Sequence, residues 1–536
     1  MHRLAVLDWA IVAAYFVLTF AVAIWATRRE RAGGETSADY FLAGRNIGWF
    51  IVGASLFASN IGSEHLVGLA GTGAASGVAV GQFEVIASLM LLLLGWLFVP
   101  FYLRSGVFTM PEFLERRYSS GARWYLAIVS IIAYVLTKIS VTVAAGAIVF
   151  EALMGIDFWT GAIVVVLATG IYTVLGGLIA VLYTDMMQMF VLLGGALAVT
   201  AIGIAHVGGW GELTAAAGPG FLDMWRPIAD PDFPWTGILF GAPILGVWYW
   251  CTDQFIVQRV LSARDETQAR RGAIFAGVLK LLPLFLFVLP GLVAYVLAQR
   301  GELALERPDQ ALPALVGTLL PIGVRGLVVA GLLAALMSSL SSVFNSCSTL
   351  ITWDVYRKLN PSASEARLVW VGRGSTVVLV GLGLLWIPLM QLISGQIYQY
   401  LQSVQAYISP PIAAVFLVGI LWQRVNARGA MAALITGFVL GMARLVAELN
   451  KGALDGAMLG FAEINFLHFA VLLFVVCTVV LVLVSLTAPP PPAAQLAGLT
   501  IGAAGGTTAA PRSRAIDFAW SAGVVVSVAA IWWYFS

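Results

Sequence analysis

Residues 469–486 read FAVLLFVVCTVVLVLVSL, eighteen in a row without a charge. That is about the length an α-helix needs to cross 30 Å of hydrocarbon. Comparable runs recur along the 536-residue chain, which is 60% hydrophobic and 10% charged. Soluble domains carry about 25% charged residues. Within lipid each spanning segment must satisfy its own backbone, which leaves helices or closed barrels. Barrel strands would alternate over about 10 residues, and no such pattern occurs. The expected fold class is an all-α polytopic membrane protein, with the lipid bilayer as its first partner. A net charge of only +2 argues against a nucleic-acid partner. Cys251, Cys347 and Cys477 all fall in or beside apolar runs, so no disulfide framework is expected. The start, MHRLAVLDWA, lacks the short apolar core and cleavage site of a signal peptide, so the first span is expected to be retained. The absence of any Asn-x-Ser/Thr sequon favours a prokaryotic inner membrane.

Fourteen spans are expected, at 6–27, 47–70, 80–103, 123–154, 158–177, 183–207, 235–261, 272–299, 323–358, 368–388, 396–423, 429–448, 464–486 and 516–535. Loops after odd-numbered spans hold most of the arginines, among them Arg28, Arg29, Arg116, Arg117, Arg259, Arg264, Arg270, Arg271, Arg357 and Arg424. The opposite loops are acidic, with Asp223, Asp230, Asp232, Glu302 and Glu306. The positive-inside rule therefore predicts that both termini lie outside a cell membrane. Residues 487–515, rich in Pro, Ala and Gly, are expected to form a flexible cytoplasmic linker to a peripheral last helix at 516–536.

Charged or strongly polar side chains at membrane depth are costly and mark function or pairing. Glu84, Asp185, Lys280, Gln402 and Gln405 sit well inside apolar runs, and His65 follows GASLFASNIGSE at 53–64. A water-filled cavity between helices accounts for them together. In that stretch Asn60 and Gly62 weaken helix continuity. A break there frees carbonyl oxygens, tolerable at this depth only where they line a cavity or meet a ligand. Such oxygens suit Na⁺; the alternative is a small-residue face for close helix packing. In LLAALMSSLSSVFNS, at 332–346, the Ala335 carbonyl and the Ser338 and Ser339 hydroxyls can converge on one face. The alternative is that these serines bond back to their own helix. Ser59, Asp185 and Ser341 offer oxygens for a second cage.

These segments resemble the sodium/solute symporter family, and within it the sodium–glucose cotransporter group. The resemblance runs from about residue 39 to 486 and rests on ASLFASNIGSEHLVGLAGTGAASG, TMPEFLERRY, YVLTKIS, YTDMMQ, WYWCTDQFIVQR, LKLLPLF, LMSSLSSVFNS, SGQIY and PPIAAVFL. It implies a LeuT-like core of two inverted repeats of five helices, at 47–207 and 235–388. A peripheral helix and cytoplasmic loop at 1–46 would precede it, an extracellular loop would span 208–234, and three more helices would occupy 389–486. Discontinuous helices would fall at Asn60 and near Trp248. By the same resemblance, Na⁺ would sit on backbone oxygens of Ala58, Ile61 and Ala335 and hydroxyls of Ser338 and Ser339. Sugar would meet Asn60, His65, Glu84, Trp250, Lys280 and Gln402, with Tyr249 as stacking partner and inner gate and Phe83 as outer gate. Three positions depart from the pattern: Gly246 where relatives carry a side chain, Gln399 for an acidic residue, and Glu64 where many glucose carriers have Gly, as in inositol-carrying relatives.

The expected function is sodium-coupled import of a glucose- or galactose-type hexose, with one or two Na⁺ as coupling ions and no enzymatic activity. A sodium/myo-inositol symporter and a sugar-sensing cation conductance are the alternatives, along with a proton-coupled carrier using Asp185 or Glu84. Only His2, His65, His206 and His468 exist, with no His-Glu-x-x-His pair, which argues against an intramembrane hydrolase.

Overall fold

A backbone without water to bond closes its hydrogen bonds within each segment, and the computed structural model is helical nearly throughout. It describes residues 4–30, 36–390, 397–501 and 511–536. The principal helices are α1 (Val6–Glu30), α2 (Trp49–Asn60), α3 (Ser63–Ser76), α4 (Gln82–Leu93), α5 (Ser120–Ala133), α6 (Phe158–Val207), α7 (Trp235–Gly246) and α8 (Gln254–Leu261). They continue with α9 (Glu266–Leu279), α10 (Val324–Leu350), α11 (Glu365–Met390), α12 (Ile397–Leu421), α13 (Ala427–Leu449), α14 (Phe466–Leu486) and α15 (Pro511–Tyr534). Among the described residues, ten helical runs are long and apolar enough to cross a membrane.

Helix falls on each expected span, except that Gln396, with the start of the SGQIY motif, lies outside the described residues. The side chain of Gln399 lies outside them too. The expected spans at 158–177 and 183–207 join as α6, 50 residues that bend at Gly177. Gly177 has φ 56°, and a Cβ there would lie 2.5 Å from the Tyr40 carbonyl, so glycine is needed on both counts.

The span expected at 47–70 is cut in two. α2 stops at Asn60, Ile61 and Gly62 are extended (φ/ψ −80°/90° and −92°/−179°), and α3 begins at Ser63. The second expected discontinuity differs in kind. α7 widens into a π-helical stretch, Val247–Thr252, and only Asp253 is extended (φ −77°, ψ 129°) before α8. There the Asp253 carboxylate caps the new helix, accepting from Phe255 N at 3.2 Å.

α10 is almost wholly buried and packs along α6, with α1 against both. α2 and α9 approach closely: a Cβ on Gly53 would lie 2.7 Å from the Gly272 carbonyl. The last helix, α15, is held on α4 and α9 by Asp517, which pairs with Arg270 at 3.0 Å and Arg271 at 2.7 Å. The start of the expected flexible linker is anchored rather than loose. Arg424 Nη2 donates to the Ala488 carbonyl at 2.8 Å and Asn426 Nδ2 to the Pro489 carbonyl at 3.1 Å. Residues 502–510 of that linker lie outside the described residues. The three cysteines are free and buried.

Candidate functional site

The break after Asn60 changes which carbonyls are used. Gly62 N, which an unbroken helix would aim at the Ala58 carbonyl, bonds the Asn60 carbonyl instead at 3.1 Å. His65 N and Leu66 N both turn to the Gly62 carbonyl, at 3.0 and 3.3 Å, leaving the Ile61 oxygen out of the α3 ladder. The released Ala58 and Ile61 oxygens are hard donors of the kind that suits a monovalent cation. Opposite them lies α10, where the Ser339 hydroxyl donates to the Ser59 carbonyl at 2.9 Å. Ser339 thus bonds across to the broken helix rather than back along its own. Ala335 is buried one turn earlier on α10.

Ser338 and Ser341 are placed differently from the expectation. Ser338 Oγ donates to Asp185 Oδ1 at 2.7 Å, within the set expected for a second cage. Ser341 Oγ instead donates back to the Ser338 carbonyl at 3.0 Å, as membrane serines commonly do. Asp185 therefore gathers Ser55 (2.6 Å), Ser59 (2.9 Å) and Ser338, but not Ser341. Arg259, counted among the loop charges, is fully buried here and donates from Nε to Ser59 Oγ at 3.1 Å. Its position in α8, just after the second interruption, carries it inward. A guanidinium held this deep needs the Asp185 carboxylate nearby to offset its desolvation.

On the other side of Asn60 a polar cavity opens. Lys280 at the C-terminus of α9 donates to Glu84 on α4 and to Asn60 Oδ1. Asn60 Nδ2 donates to the Tyr249 hydroxyl at 2.9 Å, so the two interruptions touch. His65 Nε2 lies 3.8 Å from Glu84, and the Lys280 ammonium lies 5.3 Å over the Trp250 ring. Gln402 and Gln405 on α12 line the same cavity, whose volume is about 50 Å³, room for a few waters. Phe83 packs above it, stacked on Phe466 at 6.4 Å between centroids and edge-on to Phe233 and Tyr398. The expected sugar contacts Asn60, His65, Glu84, Trp250 and Gln402 and both expected gates thus line one space. Lys280 stands behind Asn60 and Glu84 rather than in the lining, and the expected cation donors lie on the far side of Asn60. At Gly246 a Cβ would lie 2.6 Å from Met90 Cγ, so Met90 fills the room that a side chain would need.

Two polar lining residues escaped the sequence reading. Lys138, in a π-helical stretch after α5, donates to the Tyr249 hydroxyl at 3.0 Å. The signal for it was present, a lysine inside the apolar run YVLTKIS, as informative as Lys280. Tyr398, the last residue of the SGQIY motif, reaches Glu84 at 3.4 Å; the motif was read only as a mark of resemblance, with no role given to its tyrosine.

Residues 40–437 match the profile of the family described as Sodium:solute symporter family. The chain is 40% identical to Sodium/glucose cotransporter 1 of Oryctolagus cuniculus, over 91% of this chain and 80% of that one. It is equally 40% identical to the Sodium/myo-inositol cotransporter of Mus musculus, over 91% and 74%. Among solved structures it resembles a substrate-bound, outward-open Na⁺-coupled sialic acid symporter, with TM-score 0.77 and 23% identity over 91% of this chain and 99% of that one. That last likeness is one of fold.

Proposed function

The chain belongs to the sodium:solute symporter family, and from that premise we propose that it is a sodium-coupled symporter importing a sugar by alternating access. The observation that carries this reading is the double use of one broken backbone end. Ser59 receives Ser339 on one side, while the adjacent Asn60 joins Lys280 and Tyr249 at the polar cavity on the other. A cation that organises the Ala58–Ile61 carbonyls against Ser339 therefore also positions Asn60 for the solute. That is a physical route for coupling, since an ion shifts an equilibrium only through its differential affinity for two states.

In this reading Na⁺ binds backbone oxygens of Ala58, Ile61 and Ala335 with the Ser338 and Ser339 hydroxyls, and Ser338 turns from Asp185 to reach it. Asp185 and Ser59 stand ready for a second ion. A hexose, whose hydroxyls both donate and accept, pairs with Asn60, His65, Glu84, Lys280 and Gln402, and its apolar face lies on Tyr249 and Trp250. The cavity is too small for a hexose until Phe83 or Tyr249 moves, which fits their roles as outer and inner gates. The core is taken as two inverted repeats, at 47–207 and 235–388, within fourteen crossings, with both termini outside the cell membrane. A potential of about 100 mV and a tenfold sodium gradient give about 3.7 kcal/mol per ion, enough for roughly 500-fold accumulation.

The test is uptake into proteoliposomes under an imposed sodium gradient, with radiolabelled hexoses and myo-inositol. Sodium-driven accumulation that vanishes when choline replaces Na⁺ supports the reading. Uptake that follows a pH gradient without sodium, or no uptake of any of these solutes, overturns it. Inositol is included because the inositol relative matches as well as the glucose one, and because Glu64 stands behind the cavity.

A further inference from the structure

We propose that Glu64 is a positioning residue for solute recognition: its carboxylate holds the Lys138 ammonium on the Tyr249 hydroxyl and so sets the floor of the cavity. The inference rests on the symport reading above. Glu64 is completely buried in the first turn of α3, directly after the break. Its Oε2 accepts from Thr142 Oγ1 at 3.0 Å, while Oε1 lies 3.8 Å from Lys138 Nζ and 3.6 Å from His65 Nδ1. Lys138 and His65 line the cavity; Glu64 stands behind them.

Charge balance gives Glu64 its role. Two ammonium groups flank this space, and Lys280 is already matched by Glu84. Lys138 also lies 4.8 Å over the Tyr249 ring and 5.1 Å over that of Phe255, which hold a cation but do not neutralise it. A buried ammonium without a counter-charge is strongly penalised. Glu64 supplies that charge from the side away from the cavity. With a neutral group at 64, Lys138 is drawn toward Glu84 or toward a solute hydroxyl, and leaves Tyr249. The Tyr249 oxygen also accepts from Asn60, which in turn accepts from Lys280, so the displacement reaches every polar contact on the floor.

The experiment compares initial sugar uptake by the full-length protein, Glu64→Gln, Lys138→Met, their combination, and Thr142→Val in proteoliposomes. Glu64→Gln and Lys138→Met are each expected to raise the sugar KM about tenfold, with maximal rate per reconstituted molecule changed less than about threefold. The combined variant should be no worse than Lys138→Met alone, because both act through one ammonium. Thr142→Val, which drops one hydrogen bond but keeps the charge, should shift KM the same way by a smaller factor. An unchanged KM in Glu64→Gln, or losses that multiply in the combination, overturns the proposal. Should Glu64→Gln fail to fold, unchanged KM in both Lys138→Met and Thr142→Val overturns it equally. A parent protein that takes up no hexose or inositol with sodium defeats the symport reading itself; a transporting parent beside an unchanged Glu64→Gln defeats only this inference.

Discussion

The Asn60 amide donates to the Tyr249 hydroxyl at 2.9 Å, a single bond between the two places where membrane helices lose their regular form. The same oxygen receives Lys138 at 3.0 Å. Tyr249→Phe keeps the ring and removes the acceptor, stranding two buried donors. The expected result is a loss of about 1–3 kcal/mol in stability and a sugar KM raised about tenfold. Thermal unfolding in detergent and uptake in liposomes measure the two effects, and a variant indistinguishable from the parent in both would refute the tie.

Ser339 bridges α10 to the broken helix at Ser59. In Ser339→Ala the half-saturating sodium concentration should rise about tenfold or more, with the sugar KM following it at low sodium. Unchanged sodium dependence would refute the assigned cation cage. Ser341→Ala serves as the contrast, since the Ser341 hydroxyl donates to the Ser338 carbonyl and not to Asp185 or the broken helix; its sodium dependence should stay near that of the parent.

Lys280 and Gln402 separate recognition from stability. Lys280→Ala removes the ammonium paired with the buried Glu84 carboxylate, leaving it the Tyr398 hydroxyl and the His65 ring, and should cost about 3–5 kcal/mol. Gln402 is half-buried and faces the cavity, so Gln402→Glu should impair sugar uptake while leaving the thermal transition near its parent value. Wild-type uptake by Gln402→Glu would move the pocket elsewhere. Pairing Lys280→Met with Glu84→Leu should restore much of the stability lost in Lys280→Ala without restoring transport.

Outside the membrane segments, Glu115 bonds Lys358 and pairs with Arg123 at 2.6 Å. Burial pushes its carboxyl pKa up, but the two cations outweigh that and hold it below the ordinary glutamate range near about 4.3. A carboxylate with a depressed folded pKa contributes stability in full above its unfolded pKa, and the contribution is lost as pH falls through the folded one. Thermal stability should therefore decline below about pH 4.3, and Glu115→Gln should flatten part of that decline. A variant whose acid profile matches the parent's would refute the assignment.

Much of the site was legible because a charge inside an apolar run is hard to hide. Glu84, Asp185 and Lys280 announced themselves that way, and the Asn60–Gly62 pair announced the break. Lys138 carried the same mark and was passed over. Ser338 and Ser341 were not separable from sequence: both are serines on one buried helix, and each hydroxyl has its own backbone as an alternative partner. Arg259 read as a loop charge because its run of polar neighbours, TDQ before it and SAR after, looks like a span end. Its burial depends on where α8 sits after the second interruption.

By itself the sequence determined that this chain lies in lipid as helices, where one of them breaks, and which ionisable groups must be reconciled inside. Those follow from local cost: hydrocarbon charges a fixed penalty for an unpaired charge or a free carbonyl, whatever the neighbours are. The pairing of Lys280 with Glu84, Ser339 with Ser59 and Lys138 with Tyr249 was decided only by tertiary structure, because each joins segments more than a hundred residues apart. A buried polar group takes whichever partner the packing of helices brings within about 3 Å, and that distance is a property of the assembled bundle.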